Sequence, residues 1–505
     1  MKINRFRFRN LIIPILAVMA CVPGLTQANN DNTLKVALVA EPRLLEPSID
    51  TIKPSLVIAM TMLEPLTMNT AEGGYVPWLA ESWTAVDQNR WRLTLKKGVQ
   101  FHNGEQFNAD TVIYSLGVFQ NTQGGARGWY SYITGVEKVS EFEVDLITES
   151  PTTTLPATLA FLFMFPPEYH GEMGSDEFGQ NPVGTGPFKF VKWDKGVELV
   201  VEPNSGYWGD KPTVGNIHFR WLPDASSRVA LLETGEVHIA QNIPPALMSR
   251  VDNSGVSRVE TVKGTRKAFL RMNVETGPTA DVRVRMALNH AIDVESIIKA
   301  LFQGRAYGRD AGFLLDGMEG HEYGRLTPFE YNPDRAKALL AEAGYPDGFK
   351  TTFHHTIGRY MLDKESAEAM AAQLSEVGIE SDLIGLEPGA YFSKVSASRL
   401  EGLHFAASAP LFMTPLYHPM IEFELNKPYG YGADARSDSF TKQARAEVDD
   451  KARVALLQDF EDYVFKGHVP WVWLWHYQEI YGVSNDINWK PRSDQIMDFT
   501  KVTFK

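Results

Sequence analysis

The chain has 505 residues, of which 44% are hydrophobic and 22% are charged, a composition typical of a globular protein. Its formal net charge of −13 argues against a nucleic acid or an anionic membrane surface as the partner, because both bind basic faces. This length is too great for one compact core and predicts at least two lobes.

The N-terminus resembles an export signal. Basic residues precede an apolar run over residues 11–22, and Thr26-Gln27-Ala28 offers the small residues that a signal peptidase cleaves behind. The run is shorter than the ~20 apolar residues that a membrane-spanning helix needs. We therefore predict that residues 1–28 are a cleaved signal peptide and that the mature protein, with its net charge changed to −17, is periplasmic.

Cys21 is the only cysteine and lies inside this signal. Cleavage behind Ala28 leaves a mature chain without a disulfide, a thiol nucleophile or a thiolate metal site. The alternative is a lipoprotein signal in which Cys21 is lipidated. Met19 fits that pattern poorly, so a free periplasmic protein is the favoured interpretation.

Alternating apolar residues and turn signals predict a strand-rich first half. Asn108 is a good N-cap residue and predicts a helix directly after it. The predicted elements are strands over 34–39 and 91–95, a helix over 111–119, and a β-hairpin formed by 181–190 and 197–202.

The second half alternates helical and extended patterns, which indicates an α/β lobe. Helix-stop glycines and an early proline define the ends of several helices. The predicted helices cover 226–234, 281–301, 332–343, 364–377 and 451–465, and a tryptophan-rich strand begins at Trp471.

No familiar catalytic or cofactor motif is present in the sequence. It lacks a G-x-S-x-G elbow, a Walker A loop and an H-E-x-x-H helix, and Gly184-Thr185-Gly186-Pro187 lacks the third glycine of a dinucleotide fingerprint. The sequence therefore predicts a protein that is not an enzyme and that needs neither a cofactor nor a metal.

Four blocks, in the same order, resemble the extracellular solute-binding proteins of family 5, which serve peptide and nickel ABC importers. One block alone is modest support, whereas four in register cover most of the mature chain. The blocks are 62–66 with 77–83 and 91–107, then 183–188, then 283–288 with 291–293, and finally 331–340 with 343–346.

The resemblance implies an α/β, periplasmic-binding-protein-like two-lobe clamshell with an extra insert subdomain in the first lobe. Two chain crossings form a hinge, and a monomer closes on a small solute and delivers it to the transmembrane subunits of an ABC permease. A secreted hydrolase and a ligand-sensing or chaperone-like receptor on the same fold are the alternatives. The implied lobe I is 29–70, 188–279 and 483–505; the insert is 71–187; lobe II is 280–482.

Peptide-binding members of this family carry an aspartate for the peptide's amino terminus in the segment that matches residues 403–415. This segment contains no acidic residue here, and burying an unpaired ammonium is costly. We therefore expect a ligand with an anionic group and a flat or apolar part. Arg359, in a Gly-Arg-Tyr loop, is the candidate for the anion, although a solvated loop arginine or a structural ion pair is an equal alternative.

The remaining candidate ligand-binding residues are aromatic, polar or carboxylate side chains. Trp471, Trp473 and Trp475 alternate on a strand and are expected to share one face, with burial as the alternative. Glu41 follows the first strand, where relatives present backbone to the ligand. The full set is Glu41, Trp129, Tyr130, Arg359, Tyr360, His404, Ser408, Phe412, Trp473 and Trp475.

Overall fold

A computed structural model describes residues 32–308, 311–397, 400–427 and 429–505. The predicted signal peptide and Cys21 lie outside these residues. In the described ranges, no helix is both long and apolar enough to cross a membrane.

The predicted strands are present, and most of the strands join one mixed sheet. Within the described chain this sheet has eleven strands in the order β15-β14-β16-β12-β17-β11-β1-β10-β9-β8, with β13 beside β17. A separate four-stranded sheet has the order β4-β5-β7-β6. The strands are β1 Leu34–Leu38, β2 Thr67–Asn69, β3 Tyr75–Pro77, β4 Ala80–Asp87, β5 Arg90–Leu95, β6 Ile133–Ser140, β7 Glu143–Thr148, β8 Phe188–Asp194, β9 Glu198–Pro203, β10 Ile217–Trp221, β11 Ile239–Ala240, β12 Ser257–Met272, β13 Ala306–Tyr307, β14 Phe349–Thr356, β15 Ile379–Leu386, β16 Leu403–Ser408, β17 Trp471–Ser484, β18 Ile487–Asn488 and β19 Thr503–Phe504.

The predicted helices are also present, several with the expected caps. The side chain of Asn108 accepts hydrogen bonds from the backbone N–H groups of Asp110 and Thr111, as an N-cap should. The helices are α1 Lys53–Ala59, α2 Ala109–Asn121, α3 Leu155–Thr158, α4 Pro167–Phe178, α5 Ala225–Glu233, α6 Pro245–Asp252, α7 Val282–Ala291, α8 Val294–Phe302, α9 Pro333–Glu342, α10 Asp363–Glu376, α11 Pro388–Ser396, α12 Tyr417–Glu422, α13 Ala435–Ala446 and α14 Asp450–Asp462.

One stretch that was predicted to be a single continuous helix forms two helices. The stretch 281–301 forms two helices, α7 and α8, that are separated at Ile292. Asp293 caps the second helix by accepting a hydrogen bond from the backbone N–H of Ser296 at 3.1 Å. The local cap therefore overrides the continuous amphipathic pattern of the sequence.

Two long antiparallel strands, β12 and β17, run through the middle of the sheet. The first part of β12 pairs with the last part of β17, beside β11, and the last part of β12 pairs with the start of β17, beside β16. Two large hydrophobic clusters lie toward opposite ends of this pair, one with Tyr481 and Val483 and the other with Leu270, Met272 and Val472. The β12–β17 ribbon is thus the continuous link between them.

A buried carboxylate fastens the sequence blocks of the first half to one another. Glu64 accepts hydrogen bonds at one oxygen from Trp78 Nε1 at 2.9 Å and the Tyr207 hydroxyl at 2.7 Å. Its other oxygen accepts from the Thr185 hydroxyl and Trp208 Nε1, both at 2.8 Å. Burial raises the pKa of Glu64, and the hydrogen bonds oppose that shift. These blocks therefore meet in the core of the first half of the chain.

A candidate ligand-binding cleft

A cavity of about 740 Å³ lies where the two halves of the central sheet meet. Its lining comes from the chain after β1, from the β12–β17 ribbon, and from loops, strands and helices of the second half of the chain. Representative lining residues are Ala40, Lys53, Gln241, Arg266, Arg271, Arg359, Tyr360, Ser408, Glu422 and Glu479.

A β-bulge places Arg266 in this cavity. Lys263 lies opposite Gln478 and Lys267 lies opposite His476, so that residues 264–266 face a single residue of β17. Such a bulge bends the strand and redirects its side chains. Gly264 permits the bend, because a Cβ there would lie 2.8 Å from a carboxylate oxygen of Glu479 and from the backbone oxygen of Tyr477.

The loop between β14 and α10 presents Arg359. The carboxylate of Asp363 holds this loop by accepting hydrogen bonds from the backbone N–H groups of Gly358, Arg359 and Tyr360 at 2.9–3.2 Å. The backbone is fixed while the guanidinium of Arg359 extends into the cavity. Burial lowers the pKa of Arg359, and the positive charge of Arg266 lowers it further.

A buried ion pair forms another part of the wall. Arg271 donates from Nε and Nη2 to the two carboxylate oxygens of Glu422 at 2.9 and 2.6 Å. Both side chains are almost completely buried. The guanidinium also lies 5.3 Å from the ring centre of Tyr429. This two-bond geometry satisfies both charges, so the pair is part of the frame of the cavity.

Lys53 and Glu479 line the cavity near the start of α1. Nζ of Lys53 donates to the backbone oxygen of Asp494 at 2.9 Å, and burial lowers the pKa of Lys53 to about 8. Glu479 accepts a hydrogen bond from the amide of Gln495, whose oxygen accepts from Arg266 at 2.9 Å. Burial raises the pKa of Glu479. The amide of Gln495 thus connects a carboxylate and a guanidinium.

Aromatic rings supply the apolar surface of the cavity. Tyr360, Phe392, Tyr417 and Tyr429 all line it. The guanidinium of Arg359 lies 5.8 Å from the ring centre of Tyr360 and 6.0 Å from that of Phe392. The cavity therefore combines cationic groups with flat, polarisable walls.

Three of the predicted site residues line the cavity together: Arg359, Tyr360 and Ser408. Ser408 is the last residue of β16, opposite Lys267 of β12. The structure thus brings together the Gly-Arg-Tyr loop and the acid-free segment, although they are about 50 residues apart in the chain.

Trp129 and Phe412 lie outside the cavity lining and contact each other. Their ring centres are 5.4 Å apart in an edge-to-face arrangement, and Phe412 also meets Phe161 at 5.7 Å. Nearby, the side-chain amide of Asn69 donates to the backbone oxygen of Leu411 at 2.9 Å. These residues join the segment after β16 to the first half of the chain.

Three other predicted site residues, Tyr130, Glu41 and His404, have structural contacts and do not line this cavity. Tyr130 is fully buried, and its hydroxyl donates to the backbone oxygen of Thr158 at 3.0 Å. Glu41 accepts hydrogen bonds from Trp193 Nε1 and the backbone N–H of Gly196, both at 3.0 Å, and so fastens the β8–β9 turn. His404 is fully buried, and burial lowers its pKa to about 3.

Trp473 and Trp475 also lie in the core. The structure differs from the expectation that the three tryptophans share one face of the strand. Both have no exposed surface. Trp473 lies opposite Phe269 and His476 opposite Lys267, so Leu474 and Trp475 together face one residue of β12. This bulge shifts the alternation by one residue, which moves Trp475 into a different hydrophobic cluster from Trp473.

Sequence reasoning missed most of the charged lining. Gly264 within an alternating strand was a usable signal, because an isolated glycine in a strand often marks a bulge. The partners of the ion pair, Arg271 and Glu422, are separated by 151 residues, and no local pattern joins them. The missed charged residues are Lys53, Arg266, Arg271, Glu422 and Glu479.

The described residues contain no group of three or more histidine, cysteine, aspartate or glutamate side chains that could hold a metal ion. The cavity is instead characterised by arginine, lysine and aromatic side chains.

Comparison of sequences gives a consistent set of relatives. The family model described as bacterial extracellular solute-binding proteins, family 5 Middle, matches residues 74–418. The dipeptide-binding protein of Escherichia coli K12 is 30% identical over 63% of this chain and 65% of its own length. The chain thus spans slightly less than two thirds of that relative. The nickel-binding periplasmic protein of the same strain is 28% identical, covering 75% of this chain and 76% of that protein.

Solved structures share the fold at low identity. A Helicobacter pylori periplasmic binding protein, DppA, in complex with the peptide STSA has a TM-score of 0.84 and 24% identity, covering 94% of this chain and 98% of that chain. AgaA from A. tumefaciens R10, in complex with agropinic acid, has a TM-score of 0.83 and 23% identity, covering 94% and 99%. The predicted α/β periplasmic-binding-protein-like fold is confirmed.

Proposed function

Because the chain belongs to the bacterial extracellular solute-binding proteins of family 5, we propose that it is the periplasmic substrate-binding component of an ABC importer. It captures a small solute between two lobes and hands it unchanged to the transmembrane subunits of the permease. It acts as an exported monomer with no catalytic step.

The observation that carries this proposal is the position of the cavity. It lies at the β12–β17 ribbon, and residues from both sides of that ribbon line it. A solute bound there contacts Lys53 and Gln241 on one side and Arg359 and Ser408 on the other. Such a solute stabilises the closed arrangement, because only that arrangement supplies all of its contacts.

The proposed division of the chain supports the same mechanism. Lobe I comprises 29–70, 188–279 and 483–505, with an insert over 71–187, and lobe II comprises 280–482. Under this division β12 lies at the end of a lobe I segment and β17 at the end of lobe II, and both cross between the lobes. Rotation at these crossings opens and closes the cleft.

The lining residues indicate the general type of solute. Relatives are named for the binding of dipeptide, nickel and glutathione. For this chain we propose a peptide-like or other organic solute with an anionic group, held by the guanidinium of Arg359, and a flat or apolar part against Tyr360 and Phe392.

Native mass spectrometry of the exported protein tests the proposal. We expect a one-to-one complex with a small compound, which denaturation releases without covalent change. The released compound should have the same mass after prolonged incubation with fresh protein. Isolation of the protein without any bound compound from cells grown in rich medium, or conversion of the compound to a product, would contradict it.

A further inference from the structure

Positively charged side chains outnumber negatively charged ones in the lining of the cavity. Among the residues that the structure describes, they are four cations and two carboxylates: Lys53, Arg266, Arg271, Arg359, Glu422 and Glu479. The whole chain, by contrast, carries a net charge of −13. The cationic cavity is therefore a local feature that the overall composition does not explain.

Both carboxylates already have partners. Glu422 uses both of its oxygens on Arg271, and Glu479 accepts from Gln495 beside Arg266. Among the described lining residues a free ammonium group would thus meet only the second oxygen of Glu479, whose charge already interacts with Arg266 and Lys53. It would also lie among an excess of positive charge, which raises the cost of its burial.

Arg266 and Arg359 have no carboxylate within ion-pair distance in the described part of the chain. Arg266 has its hydrogen bond to the neutral amide of Gln495, and Asp363 directs its oxygens to backbone N–H groups beside Arg359. Both guanidinium groups lie within 6 Å of the ring centre of Tyr360, at 5.6 and 5.8 Å. Two positive charges this close to one ring disfavour each other, so a bound anion stabilises both.

Lys53 extends this cationic row. Its ammonium group donates to a backbone oxygen of Asp494, and the carboxylate of Asp494 is itself paired with Arg492 at 2.7 Å. Arg266 bonds to Gln495, the residue next to Asp494, and shares the ring of Tyr360 with Arg359. The three cations therefore line neighbouring parts of the same cavity.

We propose that the solute is an organic dianion without a free ammonium group, with one anionic group held by Arg359 and Arg266 and the second directed toward Lys53. The aromatic walls contact the part of the solute between the two anionic groups. This inference rests on the proposed function and narrows its substrate class from an anionic solute to a doubly anionic one.

Three dipeptide derivatives with the same backbone test this assignment. Alanyl-phenylalanine carries no net charge, its N-acetyl form carries one negative charge, and its N-succinyl form carries two. Isothermal titration calorimetry on ligand-depleted full-length protein should give the tightest binding for the succinyl form. We expect it to exceed the free dipeptide by roughly 10- to 100-fold, as for one additional charged hydrogen bond.

Variants of the cationic side chains then identify which of them bind the anionic groups of the probes. Lys53→Met should reduce the preference for the succinyl form over the acetyl form. Arg359→Gln and Arg266→Gln should each weaken binding of both forms, and Arg359→Lys should retain part of that affinity. Arg335→Gln, on the exposed surface of α9, is the matched control and should leave the affinity for both forms unchanged. Retained melting temperatures show that the glutamine variants are folded.

Tighter binding of the free dipeptide, or equal binding of all three compounds, overturns the inference. Failure of the whole series to bind also overturns it. In that case the mass measurement on the natural complex still decides the proposed function independently, because it requires no choice of probe.

Discussion

At the scale of single residues, Glu64 shows how much one buried carboxylate can hold together. Its four hydrogen-bond donors are neutral side chains, and each carboxylate oxygen accepts one indole N–H. An indole nitrogen donates but does not accept. Any amide placed here therefore directs its NH₂ group at one indole N–H, whichever way it is oriented.

Glu64→Gln should lower the free energy of unfolding by about 1–3 kcal/mol, the usual cost of an unsatisfied buried donor. The midpoint of urea unfolding, followed by tryptophan fluorescence, measures this change. Glu172→Gln, on the exposed surface of α4, is the control and should leave the midpoint unchanged. An unchanged midpoint for Glu64→Gln would contradict the claim that four side-chain donors need the Glu64 carboxylate as their acceptor.

Lys53 makes anion binding depend on pH. Burial lowers its pKa to about 8, so the ammonium form predominates below pH 8 and is lost as the pH rises through it. Affinity for an anion should follow the same direction. The dissociation constant for N-succinyl-alanyl-phenylalanine should therefore rise between pH 7 and 9.5.

The variant Lys53→Met should bind this probe more weakly at pH 7 and show little dependence on pH. Lys350→Met, at an exposed position of β14, should behave as the wild type. A flat profile for the wild type across this range would show that Lys53 does not contribute charge to the bound anion.

At the scale of elements, the bulge in β12 links the fold to the site. It lies within the ribbon that joins the two cores and directs Arg266 into the cavity. The bulge depends on Gly264, which packs against the backbone of Tyr477 and the side chain of Glu479. A methyl group there would displace atoms that line the cavity on the opposite strand.

Gly264→Ala should therefore lower both the melting temperature and the affinity for the anionic probes. Gly117→Ala is the matched control, because Gly117 lies inside α2 with open space around it. That control should be neutral or stabilise the protein by up to about 1 kcal/mol, as alanine is the better helix former. Equal melting temperatures for the two variants would argue against a requirement for glycine at position 264.

Local sequence patterns predicted the elements well, because caps and alternation act over short distances. Asn108 marks the start of α2, and the alternation after Leu34 predicts β1. The same reasoning failed where a single residue changed the register. Asp293 starts a new helix, and the extra residue at Trp475 reverses the faces of β17.

The cavity was predictable only in part. Arg359, Tyr360 and Ser408 were selected from segments that resemble relatives, and all three line the cavity. The charge balance was not predictable, because it depends on which cations are already paired. Pairing of Arg271 with Glu422 requires β12 and α12 to meet, and only the folded chain shows this.

At the scale of the whole molecule, contacts outside the cavity also hold the two halves together. The ring of Phe412 packs edge-on against Trp129 and Phe161, and Asn69 donates to the backbone at Leu411. The ring contacts cross the proposed boundary between the insert and lobe II, and the hydrogen bond of Asn69 crosses that between lobe I and lobe II. We expect these contacts to favour the closed form together with the solute.

Phe412→Ala should weaken closure without changing a cavity-lining residue. Loss of its aromatic contacts should lower the affinity for the solute by about 1 kcal/mol or more, mainly through faster dissociation. Stopped-flow measurement of dissociation tests this. Phe142→Ala removes a partly buried ring of the β6–β7 turn and should leave the dissociation rate unchanged. Equal dissociation rates for the wild type and Phe412→Ala would contradict the role of Phe412 in closure.

The central claim is that the two lobes close on a solute. Small-angle X-ray scattering tests it most directly, on the exported protein as purified and on the same protein after unfolding and refolding to remove bound compounds. The purified protein should match the scattering curve calculated from the closed structure. The depleted protein should have a larger radius of gyration, which returns to the smaller value when the released compound is added back. An identical radius in both states, at saturating compound, would contradict closure of the cleft.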